Sequence, residues 1–221
     1  MYKFNPKFYA DVRIEDRFTT AIVYKNGALD SCRVRNEKRA FIRVYDGQIW
    51  LYASTSDTNK IQSELDNLYA QATPCDDIAN HPIVKRYQVN VATEYKFEDR
   101  NVRNVSVEDK KELCKRILPH VKSQFLAMSQ IGYQDRNSRY EFYSSKGADI
   151  KYDYQMCGIL AVGVLAAPGD FVQAVYQLAK PYFDEIKGFE ADIEKKMADA
   201  DNFVQNAKPC KKGKYPVILS P

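Results

Sequence analysis

The chain has 221 residues, of which 45% are hydrophobic and 28% are charged, a balance typical of a chain that folds around one or two hydrophobic cores. This composition excludes the disordered and fibrous classes of protein. The 33 basic and 29 acidic residues give a net charge of +4 and are interspersed rather than grouped, so they give little support for a nucleic-acid or membrane surface.

We expect neither a membrane span nor a signal peptide. The longest apolar stretch, Met156 to Ala167, contains two glycines and is too short to cross a hydrocarbon core of about 30 Å. The polar residues at the start of the chain lack the apolar region of a signal peptide. The cysteines are odd in number, widely spaced and never arranged as Cys-x-x-Cys, so we expect a reducing, cytoplasmic environment.

The first third of the chain predicts an antiparallel meander of five short strands. Apolar and charged residues alternate from Tyr9 to Asp16, with the period of a half-buried strand. The pairs Asn26-Gly27 and Asp46-Gly47 are typical of tight hairpin turns, because both positions tolerate a positive φ. The expected strands are Tyr9–Asp16, Phe18–Lys25, a return strand around Cys32 and Val34, Arg39–Tyr45 and Gln48–Ala53.

A helix is expected after the meander. N-cap candidates occur from Ser54 to Asp57, and apolar residues then recur at helical spacing from Ile61 to Ala72. This helix, at residues 58–72, is expected to cover one face of the sheet. The following residues, up to 105, show no sustained period and predict an extended connection with short strands at 84–93 and 95–97.

The rest of the chain predicts a second mixed segment. Ser106 and Asp109 form a variant of the capping box, and the apolar stripe after them predicts a helix to Phe125 that is kinked or split at Pro119. A turn is expected at 135–138. The expected later elements are strands at Leu126–Tyr133, Arg139–Tyr143 and Asp149–Ala166, a long helix over Val172–Asn206, a turn at Pro209–Lys214 and a strand at Tyr215–Leu219.

The spacing of histidines and cysteines does not predict a metal site or a nucleophile. His81 and His120 lie far apart, without a cysteine or carboxylate at ligand spacing, so surface or helix-capping roles are favoured over zinc ligation. The spacing of Cys114 and His120 is not a helical repeat, which disfavours a catalytic pair. Cys32, Cys114 and Cys157 occupy apolar positions, where a buried thiol is the favoured interpretation.

Other catalytic and binding patterns are weak. The sequence lacks glycine-rich nucleotide loops and the Gly-x-Ser-x-Gly elbow. Adjacent acids, as at Glu15-Asp16 and Asp76-Asp77, are interpreted as solvated turns rather than catalytic pairs. Tyrosines beside basic residues, as at Arg139-Tyr140, are compatible with a face that stacks single-stranded nucleic acid, but the intervening acids favour an ordinary sheet surface. We therefore predict no catalytic, cofactor-binding or metal-binding residue in this chain.

The order of the motifs resembles that of the TldD/PmbA family over essentially the whole chain. The matching features are Tyr9–Glu15, the hairpin at Asn26-Gly27, Arg39–Gly47, Trp50–Thr55, Asp99–Val102, the turn Ser144–Gly147 and Gly213–Pro221. The chain departs from the family pattern at its start, where many members have a longer leading helix. It also departs at Ser145, which lacks the preceding Asn.

Members of this family are known as modulators of DNA gyrase and are understood as zinc metallopeptidases that act on unstructured peptides. The resemblance implies that a stretch like Gly213–Pro221 leads into a helix with His-Glu-x-x-x-His, which holds zinc together with a later Cys. We therefore expect this chain to be the N-terminal part of a longer protein, with no cofactor of its own and zinc in the missing C-terminal part. The alternative is a metal-free PmbA-type (TldE) partner subunit without catalytic activity.

The expected fold class is α+β, an antiparallel sheet with a covering helix followed by a second α+β segment with a long amphipathic helix. The expected domains are residues 1–78, the sheet and helix; 79–105, an extended connection; and 106–221, a middle segment leading toward a metallopeptidase domain. The resemblance implies a part that encloses unstructured peptide substrates and helps form a homodimer or TldD/TldE-type heterodimer, inactive alone. Exposed strand edges are expected to receive extended peptide. A membrane is not an expected partner, and nucleic acid has little support.

Overall fold

The computed structural model describes residues 2–167, 169–208 and 211–219. Seven strands and four α-helices form the regular structure of these residues, and the expected α+β class is confirmed. The strands are β1 Tyr9–Lys25, β2 Ala28–Tyr45, β3 Trp50–Thr55, β4 Val91–Glu94, β5 Leu126–Ser144, β6 Asp149–Ala167 and β7 Asp170–Lys180. The helices are α1 Ile61–Gln71, α2 Pro82–Lys85, α3 Val107–Ile117 and α4 Glu190–Asn206.

All seven strands belong to one sheet. Its order is β3-β2-β1-β5-β6-β4, and β7 also pairs with β6. The parallel pairing of β4 with β6 is the exception among antiparallel neighbours. β4 pairs with Asp149–Tyr152 and β7 with Cys157–Ala167, so these two strands share one edge of β6. Because β1 pairs with β5 along its length, the first and second halves of the chain form a continuous sheet.

Several strands are longer than the sequence predicts. The strand expected to end at Asp16 continues to Lys25 within β1, and the two strands expected after Gly27 are one strand, β2. The turn expected at 135–138 lies inside β5. Asp135 and Asn137 are typical turn formers, but both side chains are buried in this sheet. Pairing with both neighbouring strands therefore overrides the local turn preference.

The predicted turns and caps are confirmed where local chemistry determines them. Asn26 and Gly27 have φ angles of 48° and 82°, the positive values that a type I′ turn requires. In the loop between β2 and β3, the Asp46 carboxylate accepts hydrogen bonds from the backbone N–H groups of Gln48 and Ile49. At the start of α3, the Ser106 hydroxyl accepts a hydrogen bond from the backbone N–H of Asp109.

Two helix predictions are wrong in part. The helix after Ser106 does not reach Phe125 but ends at Ile117, and Pro119 lies in a short 3-10 turn, so the predicted split is found there because proline lacks the N–H that an α-helix needs. The long helix expected from Val172 is instead strand β7 to Lys180, followed by α4 from Glu190. Exposure largely alternates along β7, with the period of a strand. Over so few residues, apolar positions fit a helical period as well as a strand period.

The connection and the end of the chain also differ from expectation. Of the strands expected at 84–93 and 95–97, the structure contains only β4, and 82–85 is helical. Residues 215–219 have no strand structure, and their side chains are exposed. Pro209, Cys210, Ser220 and Pro221, which belong to the predicted turn and to the last family motif, lie outside the described residues.

The helices that form the two larger cores lie on one side of the sheet, which we call the inner face. α1 buries Ile61, Leu65 and Leu68 against the β1-β2-β3 end, as predicted. α3 and α4 pack against the β1-β5-β6-β7 end and form a second core. On the opposite side, which we call the outer face, only the segment 75–87 with the short α2 covers one corner in the described part of the chain. None of the described helices has the length and apolar character to span a membrane.

Candidate functional site

The outer face is the main open surface of the sheet, and its composition changes from one end to the other. Toward β3 it is rich in arginine, contributed by β1, β2 and β5. The arginines are Arg13, Arg17, Arg33, Arg35, Arg39, Arg43 and Arg136. Toward the other edge, the outward positions of β6 and β7 are uncharged, and they include exposed Tyr152, Tyr154, Met156 and Val175. The face therefore joins a cationic part to an apolar part.

Glu15 lies at the centre of a hydrogen-bonded cluster on the outer face. Its carboxylate accepts hydrogen bonds from Arg17 at 2.7 Å, Arg136 at 2.8 Å, Ser138 at 2.9 Å and Tyr140 at 3.1 Å. Burial raises the pKa of Glu15, but the hydrogen bonds from Arg17, Ser138 and Tyr140 outweigh burial and lower the pKa to about 2. At neutral pH this carboxylate is a fixed anion that orders its neighbours, and it is unsuited to proton transfer.

The interpretation of Glu15-Asp16 as a solvated turn is wrong. Both residues lie within β1 and, as consecutive strand residues, point to opposite faces. Asp16 pairs with Arg103 at 2.8 Å on the inner side. The same interpretation holds for Asp76-Asp77, which forms an exposed turn near the start of the segment 75–87.

A second cluster lies where the 75–87 segment meets the sheet. The Asp11 carboxylate is fully buried and accepts hydrogen bonds from Arg43 at 2.5 Å and from the Tyr9 hydroxyl at 3.2 Å. The Arg43 guanidinium lies 4.7 Å from the centre of the Trp50 ring. Burial, and then the charge of Asp11, raise the pKa of Tyr9, which therefore remains a neutral donor. Like Glu15, the Asp11 carboxylate is therefore occupied by hydrogen bonds from its neighbours.

A shallow depression of about 500 Å³ lies in the outer face between the cationic and apolar parts. Gly132 and Gly158 are at outward positions of β5 and β6, and the lack of side chains there creates the depression. Gln134, Arg136 and Leu160 contribute to its lining. An open depression of this kind does not exclude water. Its geometry suits contact with a chain laid across the sheet better than it suits catalysis.

Behind this depression, the inner face contains a buried polar network. The Lys110 ammonium lies 2.7 Å from the Asp135 carboxylate, and both side chains are fully buried. Lys110 also donates to the Thr20 hydroxyl at 3.0 Å and to the Val102 carbonyl at 2.9 Å. Asp135 accepts from the Thr20 N–H and from the Tyr133 hydroxyl. Lys110 thereby joins α3 to β1, to β5 and to the segment before α3, so the network stabilises the fold.

The two histidines occupy separate places. His81 accepts a hydrogen bond from the Ile83 N–H at 3.3 Å and caps α2. His120 lies 2.9 Å from the Glu194 carboxylate, between the end of α3 and α4. The structure therefore agrees with the capping and surface roles and does not bring the two rings together.

The cysteine predictions are partly correct. Cys114 and Cys157 are buried, and burial raises the pKa of each thiol to about 12, so neither provides a thiolate at neutral pH. Cys32 was expected to be buried and is exposed. This part of β2 lies beyond β3, at the margin of the inner face, where exposed neighbours such as Val34 show that the core does not extend over it.

Within residues 2–167, 169–208 and 211–219, no three side chains of His, Cys, Asp or Glu are grouped so that they could hold a metal ion. The two carboxylates at the centres of the outer-face clusters, Asp11 and Glu15, are bonded to arginine, which is not a zinc ligand. We derive no chemical step through a metal in this chain.

Comparisons with known sequences agree with the resemblance found in the motifs. Residues 10–73 match the family model of PmbA/TldA metallopeptidase domain 1. The metalloprotease MJ0996 of Methanocaldococcus jannaschii is 21% identical over 216 residues, which cover 96% of this chain and 48% of the relative. The chain thus spans about half the length of the curated relative that it matches.

Solved structures share the fold. A candidate modulator of DNA gyrase from Bacteroides thetaiotaomicron matches with a TM-score of 0.68 and 15% identity, over 91% of this chain and 47% of that one. A candidate modulator of a DNA gyrase from Thermotoga maritima matches with a TM-score of 0.63 and 14% identity, over 88% of this chain and 44% of that one. TldE from Thermococcus kodakarensis matches with a TM-score of 0.61 and 13% identity, over 89% of this chain and 44% of that one. Together, the family model, the curated relative and the shared fold confirm the resemblance of this chain to the TldD/PmbA family.

Proposed function

We propose that this chain is the N-terminal part of a TldD/PmbA-like zinc metallopeptidase that acts on unstructured peptides. The observation that carries the proposal is the match of residues 10–73 to the first domain of a metallopeptidase family, in a chain about half as long as its curated relative. We infer that this chain alone is inactive.

The role that we propose for this chain is to enclose the substrate and to contribute to a dimer interface. The outer face supports this role, because it combines apolar, aromatic and arginine side chains with little cover from the rest of the described chain. Its carboxylates are already bonded to arginine, so the face offers contacts rather than acid–base groups. A sheet also offers backbone N–H and C=O groups at its edges, which can bind the backbone of an extended peptide.

The proposal is tested with the full-length parent protein and with this chain alone. We expect about one zinc per full-length chain, and cleavage of an unfolded protein such as reduced casein that is abolished by a chelator and restored by zinc. The 221-residue chain is expected to bind no stoichiometric zinc and to cleave nothing. Zinc binding or cleavage by this chain alone, or a parent protein without a His-Glu pair, would contradict the proposal.

The second candidate is a non-catalytic partner subunit of the TldE type. It is favoured by the match to TldE from Thermococcus kodakarensis, which shares the fold over 89% of this chain. The two candidates differ in one feature of the parent gene, the presence of His-Glu-x-x-x-His after Pro221. Analytical ultracentrifugation of the parent protein, alone and mixed with a TldD-type protein, separates a homodimer from a TldD/TldE-type heterodimer.

We also propose a reducing, cytoplasmic location. Cys32, Cys75, Cys114 and Cys157 are all free thiols. Fractionation of cells that produce the parent protein tests this location.

A further inference from the structure

One edge of the sheet, formed by residues 28–39 of β2, extends well past its neighbour. β3 pairs only with Ala40–Tyr45, so residues 28–39 have β1 on one side and no paired strand on the other within the described chain. Nearly all of these residues are exposed. Backbone N–H and C=O groups along such an edge are free to pair with an additional strand. We call residues 28–39 the β2 edge.

The side chains of the β2 edge alternate in chemistry. Arg33 and Arg35 are on the outer side, whereas Cys32 and Val34 are on the inner side. Val34 is 47% exposed, and Cys32 is also exposed, so both offer apolar contact to a new strand. Between Cys32 and Arg35 the edge therefore has a cationic row and an apolar row, one on each side of the sheet.

The cationic row has unsatisfied charge. Arg39, further along β2, is paired with Glu37 at 2.9 Å. Arg33 and Arg35, by contrast, have no ion-pair partner among the residues that the structure describes. Two neighbouring guanidinium groups without a counter-charge favour an anionic partner at this part of the edge.

Two other occupants fit the edge less well. Pairing with the same edge of a second copy, in the register that sets Arg33 opposite Arg35, would bring like charges together, and like charges on paired strands repel each other. A single-stranded nucleic acid needs aromatic rings for base stacking. The positions between and beside Arg33 and Arg35 carry Cys32, Val34 and Asn36 instead.

We propose that the β2 edge binds an extended peptide segment in which acidic and apolar residues alternate. The acidic side chains face Arg33 and Arg35, and the apolar side chains face Cys32 and Val34. Backbone hydrogen bonds align the segment, while the two rows of side chains select its sequence. This inference rests on the proposed function, because it names the class of peptide that such a protein engages, but it concerns binding alone and includes no chemical step.

Fluorescence anisotropy with the full chain tests the pattern. The probes are two labelled peptides of about nine residues with the same composition, one alternating Glu and Val and the other with the two residue types in separate blocks. We expect the alternating peptide to bind at least about tenfold more tightly than the block peptide, because only alternation matches both rows. We also expect its affinity to fall as salt is added.

Charge reversal tests the residues. The double variant Arg33→Glu/Arg35→Glu is expected to bind the Glu–Val peptide at least about tenfold more weakly and to gain affinity for an alternating Lys–Val peptide. The control variant Lys195→Glu/Lys196→Glu has the same change in net charge on exposed positions of α4. It is expected to keep the wild-type affinity within about twofold. Circular dichroism verifies that both variants fold.

Several outcomes would overturn the proposal. Equal binding of the alternating and block peptides, or equal loss in the α4 control variant, indicates a general charge effect. Tighter binding of an oligonucleotide assigns the edge to nucleic acid, and a concentration-dependent dimer lost in Arg33→Glu/Arg35→Glu assigns it to a second copy. The proposed function has a separate readout, since zinc-dependent cleavage of casein by the full-length protein can persist when the Glu–Val peptide fails to bind.

Discussion

Ionic contacts in this protein have different consequences according to their burial. On the outer face, Arg17 and Arg136 bind Glu15 where water still reaches all three side chains. In the core, Lys110 and Asp135 are fully removed from water and depend on each other for their charge balance. Exposed pairs contribute little because solvent screens them. A buried charge that loses its partner is costly, because it has neither water nor a counter-charge.

The buried pair predicts a large effect of Lys110→Met on stability. We expect the free energy of unfolding to fall by about 3–5 kcal/mol, because Asp135 remains buried without its counter-charge. Urea denaturation at pH 7 measures the loss. Lys115→Met on the same helix is the control, since Lys115 pairs with an exposed Glu112 at 3.4 Å and its loss should cost under about 1 kcal/mol.

A second variant separates charge from packing at this site. Adding Asp135→Asn to Lys110→Met removes the unpaired charge and should recover part of the lost stability. Similar losses for Lys110→Met and Lys115→Met would show that the buried contact does not have the importance that we assign to it.

The lowered pKa of Glu15 predicts an acid-sensitive contribution to stability. Its pKa of about 2 in the folded chain lies below the ordinary value of 4.5, so the contribution is present above about pH 4.5 and is lost as the pH falls toward 2. Glu15→Gln should therefore lower the urea midpoint at pH 7, and its difference from the wild type should shrink between pH 5 and pH 2. Glu108→Gln, at a side chain that is 79% exposed, is the control. A pH-independent difference for Glu15→Gln would contradict this assignment.

At the scale of the elements, two outward glycines on neighbouring strands have different surroundings. A Cβ atom at Gly158 would lie 2.7 Å from the backbone oxygen of Leu178, in the paired strand β7. A Cβ atom at Gly132 would lie no closer than 3.7 Å, from the Leu160 side chain. The close pairing of β6 and β7 therefore depends on glycine at 158, whereas the sheet has room for alanine at 132.

This difference gives a matched pair of substitutions. Gly158→Ala should lower the free energy of unfolding by about 1–3 kcal/mol, because β7 must move away from β6. Gly132→Ala should be neutral or stabilising by up to about 1 kcal/mol, because alanine restricts the unfolded chain more than glycine does. Thermal and urea unfolding of the two variants provide the comparison. A larger loss for Gly132→Ala than for Gly158→Ala would refute it.

At the scale of the whole molecule, turns and caps formed by residues close in sequence could be predicted from the sequence. Contacts between residues far apart in sequence could not. The Asn26-Gly27 turn and the Ser106 cap depend on residues close in sequence, and both are present. The Glu15 cluster depends on Arg136, 121 residues away, whose position follows only from the pairing of β1 with β5. The burial of Asp135 within a strand likewise depends on Lys110, 25 residues earlier on α3, which supplies its counter-charge.

The continuous sheet also connects regions that the sequence suggests as separate domains. β1 places Ile14 in the core under α1 and Ile22 in the core under α3 and α4. Because β1 contributes residues to both cores, unfolding of one core is expected to unfold the other. Separation of β1 from β5 would remove strand pairing from both cores. We therefore expect the described parts of the chain to unfold as one cooperative unit.

The single tryptophan allows a direct test of this cooperativity. Trp50 lies at the β3 end, packed on Tyr45, whereas Ile131 is fully buried in the core under α3 and α4. Ile131→Ala should lower stability by about 2–5 kcal/mol and shift the urea midpoint of Trp50 fluorescence together with that of far-ultraviolet circular dichroism. Leu65→Ala, in the core under α1, should shift both midpoints in the same way. If Ile131→Ala moves the dichroism midpoint and leaves the fluorescence midpoint in place, the two cores unfold separately and the sheet does not couple them.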